Sequence, residues 1–153
     1  MTGLTPNGSV SPVVLPVLYY VYLTLCCAYA FLRGGRPERA GATLAIAASL
    51  LSTLTAPTAH YWSEASWALL IIDCATFVGA AVISLRTDRF WPMWFAGFCL
   101  VGAMTHLATA ALPEYTPKAY AWAQGFWAYP AILSMVVGTW NQHQIGRHIA
   151  RLA

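Results

Sequence analysis

One carboxylate and one imidazole lie inside long apolar stretches of this 153-residue chain. Asp73 falls within "SWALLIIDCATFVGAAVISL", residues 66–85, and His106 falls within "WPMWFAGFCLVGAMTHLATAAL", residues 91–112. A carboxylate beside an imidazole holds the ring in one tautomer and makes a pair that can handle a proton. An ionisable group inside a membrane segment normally faces the protein and pairs with another polar group. The two residues are therefore a candidate pair, in contact directly or through water.

The composition predicts a membrane protein with a single domain over residues 1–153. Hydrophobic residues make up 59% of the chain and charged residues 8%, whereas a soluble domain carries about 25% charged residues. The net charge of +3 comes almost entirely from arginine. No basic surface interleaved with aromatic residues is visible, so we expect no nucleic-acid partner.

Five apolar runs have the length of about 20 residues that a helix needs to cross a bilayer. Segments that contain Pro, Gly and charged residues separate them and read as turns. The sequence thus predicts an all-α integral membrane protein, a single bundle of about five transmembrane helices over 13–32, 40–59, 65–85, 91–112 and 119–140.

The arginines predict the orientation of this bundle. Three segments that share one side of a five-span chain hold seven arginines, and the opposite side holds only Lys118; the arginines are Arg33, Arg36, Arg39, Arg86, Arg89, Arg147 and Arg151. By the positive-inside rule, the N-terminus is outside and the C-terminus cytoplasmic, and we expect the bacterial cytoplasmic (inner) membrane. Residues 141–153 would then form a short amphipathic tail on anionic lipid.

Tryptophans mark the expected borders of the membrane. Amphipathic aromatic rings favour the level of the lipid headgroups. We expect Trp91, Trp94 and Trp140 near the inner interface, and Trp62, Trp67 and Trp122 near the outer one.

Depth along the helices brings several polar groups to one layer. At 1.5 Å per residue, Asp73 and His106 each lie about 9–10 Å below the outer boundary. The four-residue "RTDR" connection makes their helices antiparallel neighbours. Further polar groups fall near the same level, so the candidate ligand-binding residues are Asp73, His106, Gln124, His60 and Tyr20. Interhelical hydrogen bonding without a ligand is the alternative reading of this layer.

Metal and haem sites are not expected. The four cysteines show no metal-ligand spacing and read as small packing residues. A haem with two axial histidines needs His60 and His106 to face each other across the iron, but their estimated depths differ by most of a ring width. The identity of any cofactor stays open.

No nucleophile elbow, phosphate-binding loop or paired catalytic carboxylates are present in the sequence. The first hypothesis is therefore an accessory or assembly subunit that packs against membrane lipids and against other membrane proteins or itself. The alternative is a binder, carrier or enzyme for a small apolar ligand, a pigment, a quinone or a proton, with Asp73 and His106 at its centre. Whether the protein is an enzyme is left open.

Overall fold

A computed structural model of the chain describes residues 14–55, 67–111 and 125–152, and within these ranges every regular element is an α-helix. The helices are α1 (Val14–Arg33), α2 (Arg36–Thr55), α3 (Trp67–Leu85), α4 (Trp91–Ala111) and α5 (Ala128–Leu152). The prediction of an all-helical bundle is confirmed.

Two glycines separate α1 from α2. The amide of Gly34 donates to the carbonyl of Ala30 at 2.9 Å, which closes α1, and the amide of Arg39 donates to the carbonyl of Gly35 at 3.1 Å, which opens α2. A Cβ on Gly34 would overlap the main-chain oxygen of Ala30. The chain can reverse direction within two residues because position 34 has no side chain.

Each helix packs against a neighbour to form a closed arrangement. Contacts join α1 to α2, α2 to α3, α3 to α4 and α4 to α5, and α5 also packs against α1 and α2. Side-chain contacts show that neighbouring helices run in opposite directions. Tyr19 near the start of α1 is hydrogen-bonded to Ser49 near the end of α2, and Asp73 near the start of α3 lies against His106 near the end of α4. The starts of α2 and α4 meet each other. One end of the bundle, the arginine end, therefore holds Arg33, Arg36, Arg39, Arg86, Arg89 and Arg147.

The interior of the bundle is built largely from small side chains. Ala30, Ala42 and Ala80 are almost fully buried, together with Cys27. Large apolar side chains lie on the outside of every helix, as in Leu25, Leu54, Ile71, Met93 and Leu133. Small residues allow helix backbones to approach closely where lipid gives no hydrophobic driving force between helices.

Two helices are long and apolar enough to cross a membrane, over Leu15–Arg33 and Trp67–Leu85. The other helices in the described part of the chain do not meet this criterion. Among them, α2 begins with the charged residues Arg36, Glu38 and Arg39, and α5 continues into a polar sequence after Trp140. The five predicted crossings are therefore not confirmed by length and hydropathy.

Boundaries of α2 and α5 differ from those that the sequence predicts. Helix α2 begins at Arg36 and not at residue 40, because the charged residues that read as a turn form its first turn. Helix α5 runs to Leu152 without a break at residue 140. The polar sequence from residue 141 to Leu152 thus continues the fifth helix.

Candidate functional site

Asp73 and His106 form the acid–imidazole pair between α3 and α4. Oδ2 of Asp73 lies 3.3 Å from Nε2 of His106. This is longer than the distance of about 2.7–2.9 Å in a charge-assisted hydrogen bond. The side chain of His106 is 13% exposed and that of Asp73 is 31% exposed. The predicted approach of these two residues is confirmed, and the pair is partly open to its surroundings.

Gly102 brings the backbone of α4 close to both α3 and α5. A Cβ built on Gly102 would lie 4.0 Å from Oδ2 of Asp73 and 3.9 Å from Cβ of Trp127. Trp127, which directly precedes α5, and Asp73 therefore both lie next to Gly102 of α4. From the sequence, Trp127 is expected only as part of the aromatic wall of an apolar ligand site, together with Trp67, Phe98 and Trp122, and not as a polar contact to the head of the ligand.

The indole nitrogen of Trp127 is buried and has no hydrogen-bond partner within the described ranges. A buried N–H group that makes no hydrogen bond costs about 1–3 kcal/mol. Buried polar groups in folded proteins nearly always have a partner, so an unsatisfied one calls for an explanation. Here the unsatisfied donor belongs to a residue beside an ionisable pair.

Trp127 also borders an apolar groove of about 420 Å³ along α4. The remaining lining comes from one face of α4 and consists of Phe90, Met93, Trp94, Gly97, Phe98 and Val101. From Phe90 to Val101 the groove is about 16 Å long at 1.5 Å per residue. Trp127 thus connects an elongated aromatic groove with the neighbourhood of the acid–imidazole pair.

Of the other predicted site residues, Gln124 and His60 lie outside the described residues, and Tyr20 faces a different helix pair. The hydroxyl groups of Tyr20 and Thr53 are hydrogen-bonded between α1 and α2, and Tyr20 lines a second groove between these helices. The sequence estimate fixed the depth of Tyr20 but not its direction around α1. The structure therefore brings together Asp73 and His106, and it places Tyr20 elsewhere.

A second carboxylate, Glu38, is fully buried at the arginine end. Its Oε2 accepts a hydrogen bond from the amide of Gly35 at 2.8 Å, and its Oε1 accepts one from Nε1 of Trp91 at 3.1 Å. A glutamate in the first turn that bonds back to the N-cap amide is one half of a capping box. Sequence reasoning read this segment as a turn, although Gly35 followed three residues later by Glu38 carries the capping signal.

Trp91 packs between two glycines at this end. A Cβ on Gly41 would lie 2.6 Å from Cη2 of Trp91, and a Cβ on Gly138 would overlap Cγ and Cδ1 of the same ring. Trp91 is only 5% exposed. The prediction that it belongs to an interfacial belt is wrong, since the indole lies inside the bundle. Trp94 and Trp140 remain at the surface, with 54% and 55% exposure.

The chemistry available to the described residues is hydrogen bonding and proton binding at the acid–imidazole pair. No group of three or more His, Cys, Asp or Glu side chains is placed for a metal ion in the part of the chain that the structure describes. The cysteines there, Cys26, Cys27, Cys74 and Cys99, are free thiols.

The chain matches no protein-family model, no curated protein and no solved structure. Its function is therefore inferred from its own geometry.

Proposed function

We propose that the chain is a five-span protein of the bacterial cytoplasmic membrane whose acid–imidazole pair binds the polar head of a small, largely apolar ligand. The N-terminus is outside and the arginine end is cytoplasmic in this proposal. The ligand lies along the groove of α4, with its head near Trp127, Asp73 and His106. A quinone, a pigment or a similar molecule with an apolar body and an oxygen-containing head has the required chemistry.

The five crossings are supported by the surface of the bundle. Leu54 on α2 is 75% exposed, Met93 on α4 is 59% exposed and Leu133 on α5 is 51% exposed. Exposure of such residues to water is unfavourable by about 25 cal/mol per Å² of apolar surface, so surfaces of this kind are covered by lipid or protein. The collection of arginines at one end agrees with the positive-inside rule.

Ligand binding is supported above all by two observations taken together. The acid–imidazole pair is partly open, and Trp127, whose Cβ lies across Gly102 from Asp73, has a buried indole N–H without a partner among the described residues. An ionisable side chain inside a membrane is costly and is a functional site by default. A ligand oxygen that accepts a hydrogen bond from the Trp127 indole would remove the cost of its buried N–H group. The partly exposed pair offers a second polar contact to the same head group.

Binding is favoured over transport in this arrangement. Secondary transporters are commonly built from two repeats with a site at the midplane of the membrane. Five helices do not divide into two equal repeats, and the acid–imidazole pair lies towards one end of the bundle. The proposal is therefore a binding or enzymatic site and not a carrier.

Mass spectrometry of small molecules that copurify with the protein from native membranes tests this proposal. Asp73→Asn and His106→Gln each remove part of the pair, and Asp88→Asn is the matched control, since Asp88 is an exposed carboxylate between α3 and α4. We expect one apolar compound in the wild type and the control, and a loss of at least tenfold in both pair variants. Identical small-molecule content in all four samples would contradict the site.

The second candidate function, an accessory or assembly subunit, is favoured by a stripe on α1. Leu18, Val21, Leu25 and Leu32 recur at spacings of three, four and seven residues, and all are more than half exposed. Apolar residues at this spacing form the seam of helix–helix contacts. Blue-native electrophoresis in mild detergent should then show a complex larger than the 16.6 kDa chain. Migration as a monomer alone would count against this function.

A further inference from the structure

Two basic side chains contact each other where the end of α1 meets α5. Nη1 of Arg33 lies 3.1 Å from Nε2 of His143. A guanidinium group has only donors, so Nε2 of a neutral imidazole must accept this hydrogen bond. The contact therefore holds a permanent positive charge beside a group that becomes positive on protonation.

The charges around this contact are not compensated by carboxylates. At the arginine end, both oxygens of Glu38 are already occupied by Gly35 and Trp91, and Asp88 is exposed between α3 and α4. Within residues 14–55, 67–111 and 125–152, the only contact at salt-bridge distance is that of Asp73 with His106. Among the described residues, the arginines thus have no acidic partner at salt-bridge distance.

Arg147 adds a further charge on the same side of α5. It follows His143 by four residues, and residues at this spacing lie next to each other on one helix face. Arg147 is exposed, as is Arg33. Arg33, His143 and Arg147, the seam cluster, thus present basic groups from two adjacent helices within about one helical turn at the arginine end.

Exposed apolar side chains lie beside the seam cluster. Leu32, which precedes Arg33, is 80% exposed, and Trp140, one turn before His143, is 55% exposed. A site for a free anion or a soluble acidic partner has no need of such neighbours. A phospholipid uses both the basic groups and the apolar side chains, because its phosphate accepts hydrogen bonds from guanidinium groups and its acyl chains cover apolar surface.

We propose that the seam cluster binds the phosphate of an anionic phospholipid of the phosphatidylglycerol type. This inference rests on the membrane location and orientation of the proposed function, but not on the ligand site at Asp73 and His106. The guanidinium of Arg33 donates to the phosphate oxygens, and Leu32 and Trp140 contact the chains and the glycerol region.

Native mass spectrometry of the full chain released from nanodiscs of equal parts phosphatidylglycerol and phosphatidylcholine tests the proposal. The variants are Arg33→Gln and Arg147→Gln, with Arg86→Gln as the matched control, because Arg86 is an exposed arginine that directly follows α3 at the same end. A basic residue near an anionic surface contributes about 1 kcal/mol, which corresponds to about fivefold in binding. We expect each seam variant to lower the ratio of bound anionic to bound zwitterionic lipid by about fivefold, and the control to lower it by less than about twofold.

Thermal unfolding in the two lipids separates binding from a structural role of Arg33. If Arg33→Gln acted only by removing the contact with His143, it would lower the unfolding temperature equally in phosphatidylglycerol and in phosphatidylcholine. If Arg33→Gln removes a lipid site, the difference in unfolding temperature between the two lipids should disappear.

Three results would overturn the proposal. Equal effects of Arg33→Gln and Arg86→Gln would show diffuse attraction of the whole arginine end. The same stabilisation by millimolar inorganic phosphate in neutral lipid would show a site for a free anion. No preference for phosphatidylglycerol in the wild type would show that the cluster binds no anionic lipid. Failure of the chain to enter nanodiscs at all would instead contradict the proposed membrane location.

Discussion

Glu38 and Asp73 are both carboxylates within a helical bundle, but their surroundings differ in exposure and in hydrogen bonding. Glu38 is fully buried, and each of its oxygens accepts a hydrogen bond from an N–H group. Asp73 is 31% exposed, and its imidazole partner lies at 3.3 Å. The first carboxylate has every partner that it needs from its own chain, whereas the second retains capacity for another group.

The tryptophan at each carboxylate, Trp91 at Glu38 and Trp127 near Asp73, shows the same difference in hydrogen bonding. The indole N–H of Trp91 donates to Glu38, and its ring is enclosed by Gly41 and Gly138. The indole N–H of Trp127 is buried without a partner among the described residues. A polar group that is fully satisfied stabilises a fold, while an unsatisfied one is costly unless something else binds it. Glu38 and Trp91 therefore have a structural role at the arginine end, and we propose the region of Asp73 as the site that binds the small ligand.

Replacement of the enclosed tryptophan should have the largest effect on stability. Trp91→Ala removes a buried ring and leaves Oε1 of Glu38 without its donor, so we expect a loss of about 3–5 kcal/mol in the free energy of unfolding. Trp94→Ala, one turn further along α4 at a site that is 54% exposed, should cost less than about 1 kcal/mol. Chemical unfolding of both variants in one detergent measures the difference. Similar losses would contradict the burial of Trp91.

A methyl group beside the same ring should have the next largest effect. A Cβ on Gly138 would overlap the ring of Trp91, so Gly138→Ala should destabilise the protein by about 1–3 kcal/mol. Gly146 lies on the same helix with no atom within 4 Å of a built Cβ. Gly146→Ala should be neutral or stabilise the protein by up to about 1 kcal/mol through helix propensity. A change in the free energy of unfolding with the same sign for Gly138→Ala and Gly146→Ala would contradict the close approach of α5 to Trp91.

Replacement of tryptophan by phenylalanine, which removes the indole N–H and part of the ring, should give the smallest effects, and these should differ between Trp91 and Trp127. Trp91→Phe deletes a hydrogen bond to a buried carboxylate and should cost about 1–3 kcal/mol more than Trp127→Phe. Trp127→Phe deletes a donor that has no partner among the described residues. The relief of that cost offsets the loss of ring contacts, so stability should change by less than about 1 kcal/mol. The unfolding free energies of the two variants provide the measurement. A large loss for Trp127→Phe without ligand would mean that its N–H group has a protein partner.

The helices and the acid–imidazole pair could be predicted because they depend on local sequence. The apolar runs predict where the helices lie in the sequence. The short connection between α3 and α4 requires these two helices to be neighbours, which brings Asp73 near His106. The distance from the helix ends could also be estimated from the rise per residue. These quantities need no knowledge of how distant helices pack.

The direction of each side chain around its helix could not be predicted in the same way. Tyr20 has a depth close to that of the pair but faces Thr53 on α2. Trp91 is enclosed because Gly41 and Gly138, on two other helices, leave space for its ring. Such contacts depend on the tertiary arrangement, and a tryptophan near a helix end carries the same local signal whether it faces lipid or the core. Glu38 was different, since its capping position could be read from the sequence.

The central claim, that Glu38 is structural and Asp73 functional, is tested most directly by the unfolding free energies of Glu38→Gln and Asp73→Asn in the same detergent. Each substitution replaces a carboxylate by an amide of nearly equal shape. In Glu38→Gln, the NH₂ group must face one of two N–H donors, so we expect a loss of about 2 kcal/mol or more. In Asp73→Asn, the partly exposed amide keeps an acceptor for His106, and the loss should stay below about 1 kcal/mol. Equal losses, or a larger loss for Asp73→Asn, would contradict the roles given to these two carboxylates.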